Sequence, residues 1–167
     1  SSSAASDVYK RQVLDTAKQL DAYDSGRIYY YLGEYQKAYL ALDEARDKGG
    51  ADSYLYLGRA YAATGDYNYA SSVYNNYLSK QGPNAEIYNE LGLCEMAKKE
   101  YQNALAAFQA GKQIEGNSLM QTLCFNEIVA YEYLEDYQQA EVLMNAYLQN
   151  YPDDQTAIRE QQFLSTR

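Results

Sequence analysis

The sequence predicts an all-α fold built from repeated pairs of antiparallel helices. A tyrosine followed three residues later by an alanine occurs four times, and successive alanines lie 32, 34 and 36 residues apart. A period near 34 residues is typical of helix-pair repeats, in which each unit buries its apolar face by stacking on the next. The four pairs are Tyr35–Ala38, Tyr67–Ala70, Tyr101–Ala104 and Tyr137–Ala140.

Other positions fall into register around each alanine. Twelve residues before it stand Gly26, Gly58, Gly92 and Ile128. Nine residues before it stand Tyr29, Tyr61, Glu95 and Tyr131. Four residues after it stand Leu42, Tyr74, Phe108 and Met144. Small residues let two helix backbones approach closely and large ones fill the space between neighbouring units, so this alternation predicts packed helix pairs.

The register places the helices of each unit. We expect first helices, called A, at about 20–32, 52–64, 85–98 and 120–133. Second helices, called B, are expected at about 35–48, 67–80, 101–114 and 137–150. Gly33 and Gly65 fall at the turn between A and B, where glycine adopts a positive φ at little steric cost. Pro83 and Pro152 lie at the ends of the second and fourth repeats.

The predicted organisation has four parts. Residues 1–6 form a flexible lead, which fits a tag remnant or the spacer after a lipid anchor in a bacterial surface protein. Residues 7–18 form an N-terminal helix, either a cap or part of a further unit. Residues 19–152 hold four repeats, at about 19–50, 51–84, 85–120 and 121–154. Residues 153–167 form a capping helix, because apolar Ala157, Ile158, Phe163 and Leu164 alternate there with charges.

This pattern resembles the tetratricopeptide repeat family, in its bacterial form. The family's 34-residue unit carries a leucine-glycine pair, a tyrosine, an alanine, a phenylalanine and a closing proline. The segments YLYLGRAYAATGDYNYASSVYNNYLSKQGP and IYNELGLCEMAKKEYQNALAAFQAGKQIEG carry the resemblance most fully, and it extends over roughly 19–152. Ile128, Glu95 and the lack of any tryptophan depart from the pattern. The resemblance implies a right-handed α-solenoid that binds other proteins.

The resemblance also implies that the A helices line a concave inner wall. An aromatic and apolar wall with a few polar anchors suits a peptide or helix of a partner protein. A self-associating structural or assembly protein, and thus a homo-oligomer, is the alternative. The inward-facing positions are Tyr23, Arg27, Tyr30 and Tyr31 in the first repeat, Leu55, Tyr56 and Arg59 in the second, Asn89, Leu93 and Met96 in the third, and Phe125, Asn126, Val129 and Tyr133 in the fourth.

Arg27 and Arg59 occupy the same position in neighbouring units. A guanidinium binds a carboxylate bidentately and stacks on tyrosine, so this pair fits an acidic side chain or C-terminal carboxylate of the partner. Pairing within the chain to Asp24, Asp52 or Glu90 is the competing interpretation. The chaperone-binding members of the family hold a peptide carboxylate with lysines and asparagines. Those residues are not present at the corresponding positions here, so a chaperone-tail function is not implied.

Composition argues against several other functions. The net charge of −9 offers no basic stripe for nucleic acid, and the apolar runs are too short for insertion into a membrane. Without histidine, and with only Cys94 and Cys124 as thiols, we expect neither a metal site nor a cofactor. No polarised nucleophile, phosphate loop or tuned acid–base pair is evident, so we expect no catalytic residues and no enzyme activity. Both cysteines are expected to be small buried core thiols.

Overall fold

The computed structural model of the protein describes residues 2–167, and these residues form ten α-helices without any strand. The all-α fold is therefore confirmed. The helices are α1 Ser2–Ala17, α2 Ala22–Tyr31, α3 Tyr35–Glu44, α4 Ala51–Ala63, α5 Tyr67–Gln81, α6 Ala85–Ala97, α7 Tyr101–Lys112, α8 Met120–Tyr133, α9 Tyr137–Asn150 and α10 Gln155–Leu164. Helices α2, α4, α6 and α8 correspond to the predicted A helices, and α3, α5, α7 and α9 to the B helices.

Capping side chains fix where several helices begin. Asp66 and Asp136 accept hydrogen bonds from the backbone N–H of Tyr69 and Gln139, at the first turns of α5 and α9. Asp154 does the same for two N–H groups of α10. Such a cap satisfies donors that the helix itself leaves without partners. The anchor tyrosine is the first residue of the B helix in every repeat, and in the second and fourth repeats a capping aspartate precedes it.

The turn between A and B repeats a left-handed backbone conformation in all four repeats. Gly33 has φ +75° and Gly65 has φ +85°, as the sequence predicts. The equivalent residues of the third and fourth repeats are not glycines: Lys99 has φ +64° and Glu135 has φ +60°. Residues other than glycine disfavour the left-handed conformation, because Cβ then lies too close to the following carbonyl oxygen. The turns of the third and fourth repeats therefore have the same geometry at a cost in conformational free energy.

Within the first three repeats, glycine on helix A lets a large residue of helix B lie against the backbone. A Cβ added at Gly58 would lie 2.3 Å from the ring of Tyr74, and one at Gly92 would lie 2.3 Å from the ring of Phe108. The fourth repeat replaces the glycine by Ile128, which is buried together with Met144. Methionine is unbranched and adapts its shape, so it can pack beside the larger side chain.

The chain divides into two compact units, one ending at Gly82 and the other beginning at Pro83. We call them unit 1 and unit 2. Unit 1 buries large side chains such as Leu42, Tyr54, Leu57 and Tyr74. Unit 2 has one cluster around Phe108 and Leu123 and another around Ile128, Met144 and Leu164. Leu164 in the second cluster belongs to α10, so this helix covers the apolar end of the fourth repeat.

The N-terminal helix packs lightly on the rest of unit 1. Of all the residues of α1, Ala17 alone is buried, and the hydroxyl of Ser25 donates to its carbonyl oxygen at 2.5 Å. Lys10 forms an ion pair with Glu34 at 3.1 Å. Residues 2–6 of the predicted lead are helical, with exposed side chains, while Ser1 lies outside the described residues. In residues 2–167, no helix combines the length and the apolar character needed to cross a membrane.

Candidate functional site

Three tyrosines of unit 1 cluster around the ring of Tyr30. Its centroid lies 5.5 Å from that of Tyr31, 5.9 Å from that of Tyr35 and 5.5 Å from that of Tyr56. The hydroxyl groups of Tyr31 and Tyr56 are hydrogen-bonded at 2.6 Å. These edge-on contacts between α2 and α4 hold the rings in place while Tyr31 remains 70 % exposed.

Arg27 lies between two of these aromatic rings. The carbon of its guanidinium lies 5.3 Å from the ring centroid of Tyr23 and 5.4 Å from that of Tyr56. A hydrogen bond to Tyr56 raises the pKa of Arg27, so the group is always a cation. Its Nε is enclosed and has no hydrogen-bond partner among residues 2–167. We call Tyr23, Arg27, Tyr30, Tyr31 and Tyr56 the tyrosine–arginine surface.

Two neighbours modify this surface. Nη1 of Arg27 lies 3.8 Å from Oδ1 of Asp24, and both side chains are largely exposed, so the pair contributes little. One of the internal pairings considered from the sequence is thus present in weak form. Arg59 on α4 is half-buried and is engaged in contacts of its own. Its charge partly opposes the rise in the pKa of Tyr31 that the hydrogen bond to Tyr56 causes.

The structure places one residue of the predicted wall of unit 1 in the core. Leu55 is only 3 % exposed, because the neighbouring residues Tyr54 and Leu57 are buried as well and α4 is enclosed around most of its circumference. Leu55 therefore belongs to the core and offers almost no surface to a partner. The sequence position alone did not distinguish it from Tyr56, which is half-buried at the surface.

In unit 2 the predicted wall residues form separate small contacts. Asn126 donates its side-chain amide to Oδ1 of Asn89 at 2.8 Å, and Asn89 is buried. Tyr133 stacks on Tyr101 with centroids 5.0 Å apart, and Phe125 meets Tyr147 edge-on at 5.7 Å. Leu93 is exposed, whereas Met96 and Val129 are half-buried. This hydrogen bond links α6 to α8 and leaves little of Asn89 for a partner.

An acidic and aromatic pocket lies at the end of unit 2. Its volume is about 420 Å³. Sequence analysis placed Tyr133 and Glu132 on the inward-facing side of the fourth A helix, but it did not assign the other lining residues to the site. The position of Glu160 follows only from how α10 packs. The lining residues are Glu132, Tyr133, Glu135, Tyr137, Glu160 and Phe163, and we call this the acidic–aromatic pocket.

A second pocket in unit 2, of about 470 Å³, is lined by Lys112, Glu127, Cys124, Asn150 and a set of mainly apolar side chains. Lys112 and Glu127 are paired by a short contact, and Gln109 also donates to Glu127 at 3.0 Å. Burial raises the pKa of Cys124, which is half-buried, and raises that of the buried Cys94 to about 12. These thiols are therefore not thiolates near neutral pH. Within the described chain, no group of three metal-ligating side chains is placed to hold an ion.

Comparison with known proteins identifies a family and several similar folds. A tetratricopeptide repeat family model matches residues 23–68 and 57–117. No curated protein matches at the sequence level. Among solved structures, an ArsTM double mutant of MamA RS-1 has a TM-score of 0.76 at 20 % identity, covering 92 % of this chain and 85 % of its own. MamA AMB-1 has a TM-score of 0.70 at 23 % identity, covering 88 % and 80 % respectively.

A peptide complex is among the similar structures. The second tetratricopeptide repeat domain of human RPAP3, solved with the HSP70 peptide SGPTIEEVD, has a TM-score of 0.63 at 17 % identity. The match covers 71 % of this chain and 97 % of that domain. Identities this low show likeness of fold alone. Together, these matches confirm an α-solenoid of helix-pair repeats.

Proposed function

Because this chain belongs to the tetratricopeptide repeat family, we propose that it is a non-enzymatic scaffold that binds a peptide or helix of another protein. In this proposal, the tyrosine–arginine surface is part of a concave aromatic groove lined by the A helices. The partner is a protein segment with an acidic side chain or a C-terminal carboxylate. The structure of human RPAP3 with an HSP70 peptide supports the general proposal, since a domain of similar fold holds a peptide.

The position of Arg27 carries the proposal. Its guanidinium is stacked against Tyr23 and Tyr56, and its enclosed Nε has a hydrogen to donate without an acceptor. A carboxylate would accept that hydrogen and meet an always-charged group held in a fixed orientation. Arginine and tyrosine are also the residue types enriched at the energetic centres of protein interfaces. The exposed ring of Tyr31 offers the partner additional apolar area beside the charge.

The test uses a defined source of partners. Peptides selected from a random display library by the wild-type protein would be measured calorimetrically against Arg27→Glu, Arg59→Glu. The matched control, Lys48→Glu, Lys80→Glu, makes the same charge change at exposed lysines of unit 1. We expect selected peptides to contain a carboxylate, and the double arginine variant to bind at least about tenfold more weakly because one charged anchor contributes about 1.4 kcal/mol or more.

Two results would contradict the proposal. Equal weakening by the lysine control would mean that only net charge matters. Undiminished binding to the double arginine variant, with both proteins helical by circular dichroism, would place the partner elsewhere on the chain.

Self-association is the second candidate, and α1 is the observation that favours it. Val8 is 54 % exposed and Tyr9 is 68 % exposed, so two large apolar side chains of α1 have no cover in the single chain. A second copy packing on α1 would bury them. Light scattering over a range of concentrations would show a dimer or larger species that Val8→Ser, Tyr9→Ser reverts to monomer. A mass that stays monomeric at every concentration would exclude this function.

A further inference from the structure

The acidic–aromatic pocket brings two carboxyl groups together from different helices. Glu132 is on the last turn of α8 and Glu160 is on α10. Oε1 of Glu132 is enclosed and has no hydrogen-bond partner within residues 2–167. None of Glu132, Glu135 and Glu160 has an ion-pair partner among the described residues. The pocket thus holds negative charge and an enclosed acceptor, and no cation forms an ion pair with its glutamates within residues 2–167.

The raised pKa of Glu132 indicates that Glu132 and Glu160 lack a neighbouring positive charge. Burial, together with the hydrogen bond and charge of Glu160, raises the pKa of Glu132 to about 7. Two neighbouring carboxyl groups in such a site resist full ionisation unless a positive charge joins them. A cation in the pocket would relieve that repulsion and occupy the acceptor on Glu132.

The opposite side of the pocket is aromatic and already contacts a cation. The guanidinium carbon of Arg167 lies 4.2 Å from the ring centroid of Phe163 and 5.7 Å from that of Tyr137. Both rings line the pocket. Planar guanidinium groups stack favourably on such faces, whereas the compact ammonium of lysine does so less often. Within residues 2–167 no carboxylate forms an ion pair with Arg167, whose guanidinium stacks on the two rings instead. The charges of Glu132 and Glu160 are therefore not neutralised by Arg167.

We propose that the acidic–aromatic pocket binds an arginine side chain of a partner protein, stacked on Phe163 and Tyr137 and hydrogen-bonded to Glu132 and Glu160. Arg167 contacts the same aromatic faces and competes for them. This site is separate from the tyrosine–arginine surface and has the opposite charge preference. The proposal therefore stands whether or not that surface binds a carboxylate.

The test is an NMR titration of the whole chain with two capped pentapeptides. One is acetyl-Ala-Gly-Arg-Gly-Ala-amide, and the other has citrulline, a neutral analogue of the same shape, in place of arginine. We follow the signals of Tyr133, Tyr137 and Phe163. The arginine peptide is expected to shift them saturably and to bind roughly tenfold more tightly than the citrulline peptide, because charge-assisted hydrogen bonds are about twice as strong as neutral ones.

Three variants separate this site from a general charge effect. Glu160→Gln should weaken the arginine peptide roughly tenfold without loss of folded stability, since it also removes the repulsion with Glu132. Glu115→Gln makes the same charge change near the other end of α8 and should leave binding unchanged. Arg167→Ala should strengthen binding by removing the competitor. Arg27→Glu, Arg59→Glu should have no effect, which distinguishes this site from the tyrosine–arginine surface.

Binding should also depend on pH. The titratable groups that line the pocket with Glu132 are Tyr133 on its own helix, Glu135 in the following turn, Tyr137 on α9 and Glu160 on α10, and Arg167 lies over the ring of Tyr137. Of these, Glu132 ionises near neutrality, so affinity for the arginine peptide should rise between about pH 6 and 8. Equal binding of the citrulline peptide would overturn the proposal. So would an absence of shifts with both the wild type and Arg167→Ala.

Discussion

At the scale of single residues, glycine serves two different purposes in this chain. Gly58 on helix α4 makes room for the ring of Tyr74, which would lie 2.3 Å from an added Cβ. Gly65, seven residues later, has open space around it but a φ of +85°. The first position is constrained by packing and the second by backbone conformation. Substitution at the two positions should therefore have different consequences.

Alanine at these two glycines should destabilise the protein to different degrees. Gly58→Ala forces a buried, well-packed ring to move, and we expect a loss of roughly 2 kcal/mol. Gly65→Ala meets no atoms and should lose about 1 kcal/mol for its left-handed conformation alone. Urea unfolding followed by circular dichroism measures both. Equal losses at the two sites would contradict this distinction.

Lys99→Gly is the reciprocal control for the turn conformation. Lys99 is the turn equivalent of Gly65 and has φ +64°. Glycine removes about 1 kcal/mol of conformational cost there, but returns roughly 0.5–1 kcal/mol through a more flexible unfolded chain. The free energy of unfolding should therefore rise slightly or stay the same, and it should not fall.

At the scale of helices, the sequence predicted the order and positions of the repeats more reliably than their surfaces. Tyr35, Tyr67, Tyr101 and Tyr137 are each the first residue of a B helix, as expected from the period of about 34 residues that sets the register of the four repeats. Leu55 and Asn89 were assigned to the groove, yet both are buried. Periodicity gives the direction of a side chain on its own helix. It does not show which side chains a neighbouring helix covers. It also does not show that α10 places Glu160 beside Glu132.

The contact between α8 and α10 should make stability depend on pH. Burial and Glu160 raise the pKa of Glu132 from 4.5 to about 7 in the folded protein. The folded state thus binds the proton more tightly than the unfolded chain does. Its stabilising contribution is full below about pH 4.5 and is lost as the pH rises to about 7.

The urea midpoint of the wild type, measured between pH 5 and 8, tests this contribution. Glu160→Gln should reduce the fall in midpoint across that range, because it removes the neighbouring charge and lowers the pKa of Glu132 toward its ordinary value. An identical pH profile for the wild type and Glu160→Gln would show that the pair does not affect folding.

At the scale of the whole molecule, two units with separate cores need not unfold together. Unit 1 ends at Gly82 and unit 2 begins at Pro83. Repeat arrays lose all-or-none behaviour when one part is weakened, since each repeat contributes its own stability. Gly58→Ala weakens unit 1, whereas Cys94 is buried in unit 2.

We therefore expect Gly58→Ala to unfold in two steps. In a Cys124→Ala background, circular dichroism should record a partial loss of helix at low urea, while the Cys94 thiol stays inaccessible to a thiol reagent until a second transition. The same measurement on Gly111→Ala, which crowds Leu123 in unit 2, should reverse the order. Coincident curves from both probes in both variants would mean that the chain unfolds as one cooperative body.

Because few contacts hold α1 to the rest of unit 1, its backbone should be unusually accessible to solvent. One buried alanine, the hydrogen bond that its carbonyl oxygen accepts from Ser25 and the ion pair between Lys10 and Glu34 hold a helix of 16 residues. An isolated helix of that length is only marginally stable in water. Its amide protons should exchange with deuterium far sooner than those of α4, and a protease should cut there first. If copies of the chain cover Val8 and Tyr9, this exchange should slow as the protein concentration increases.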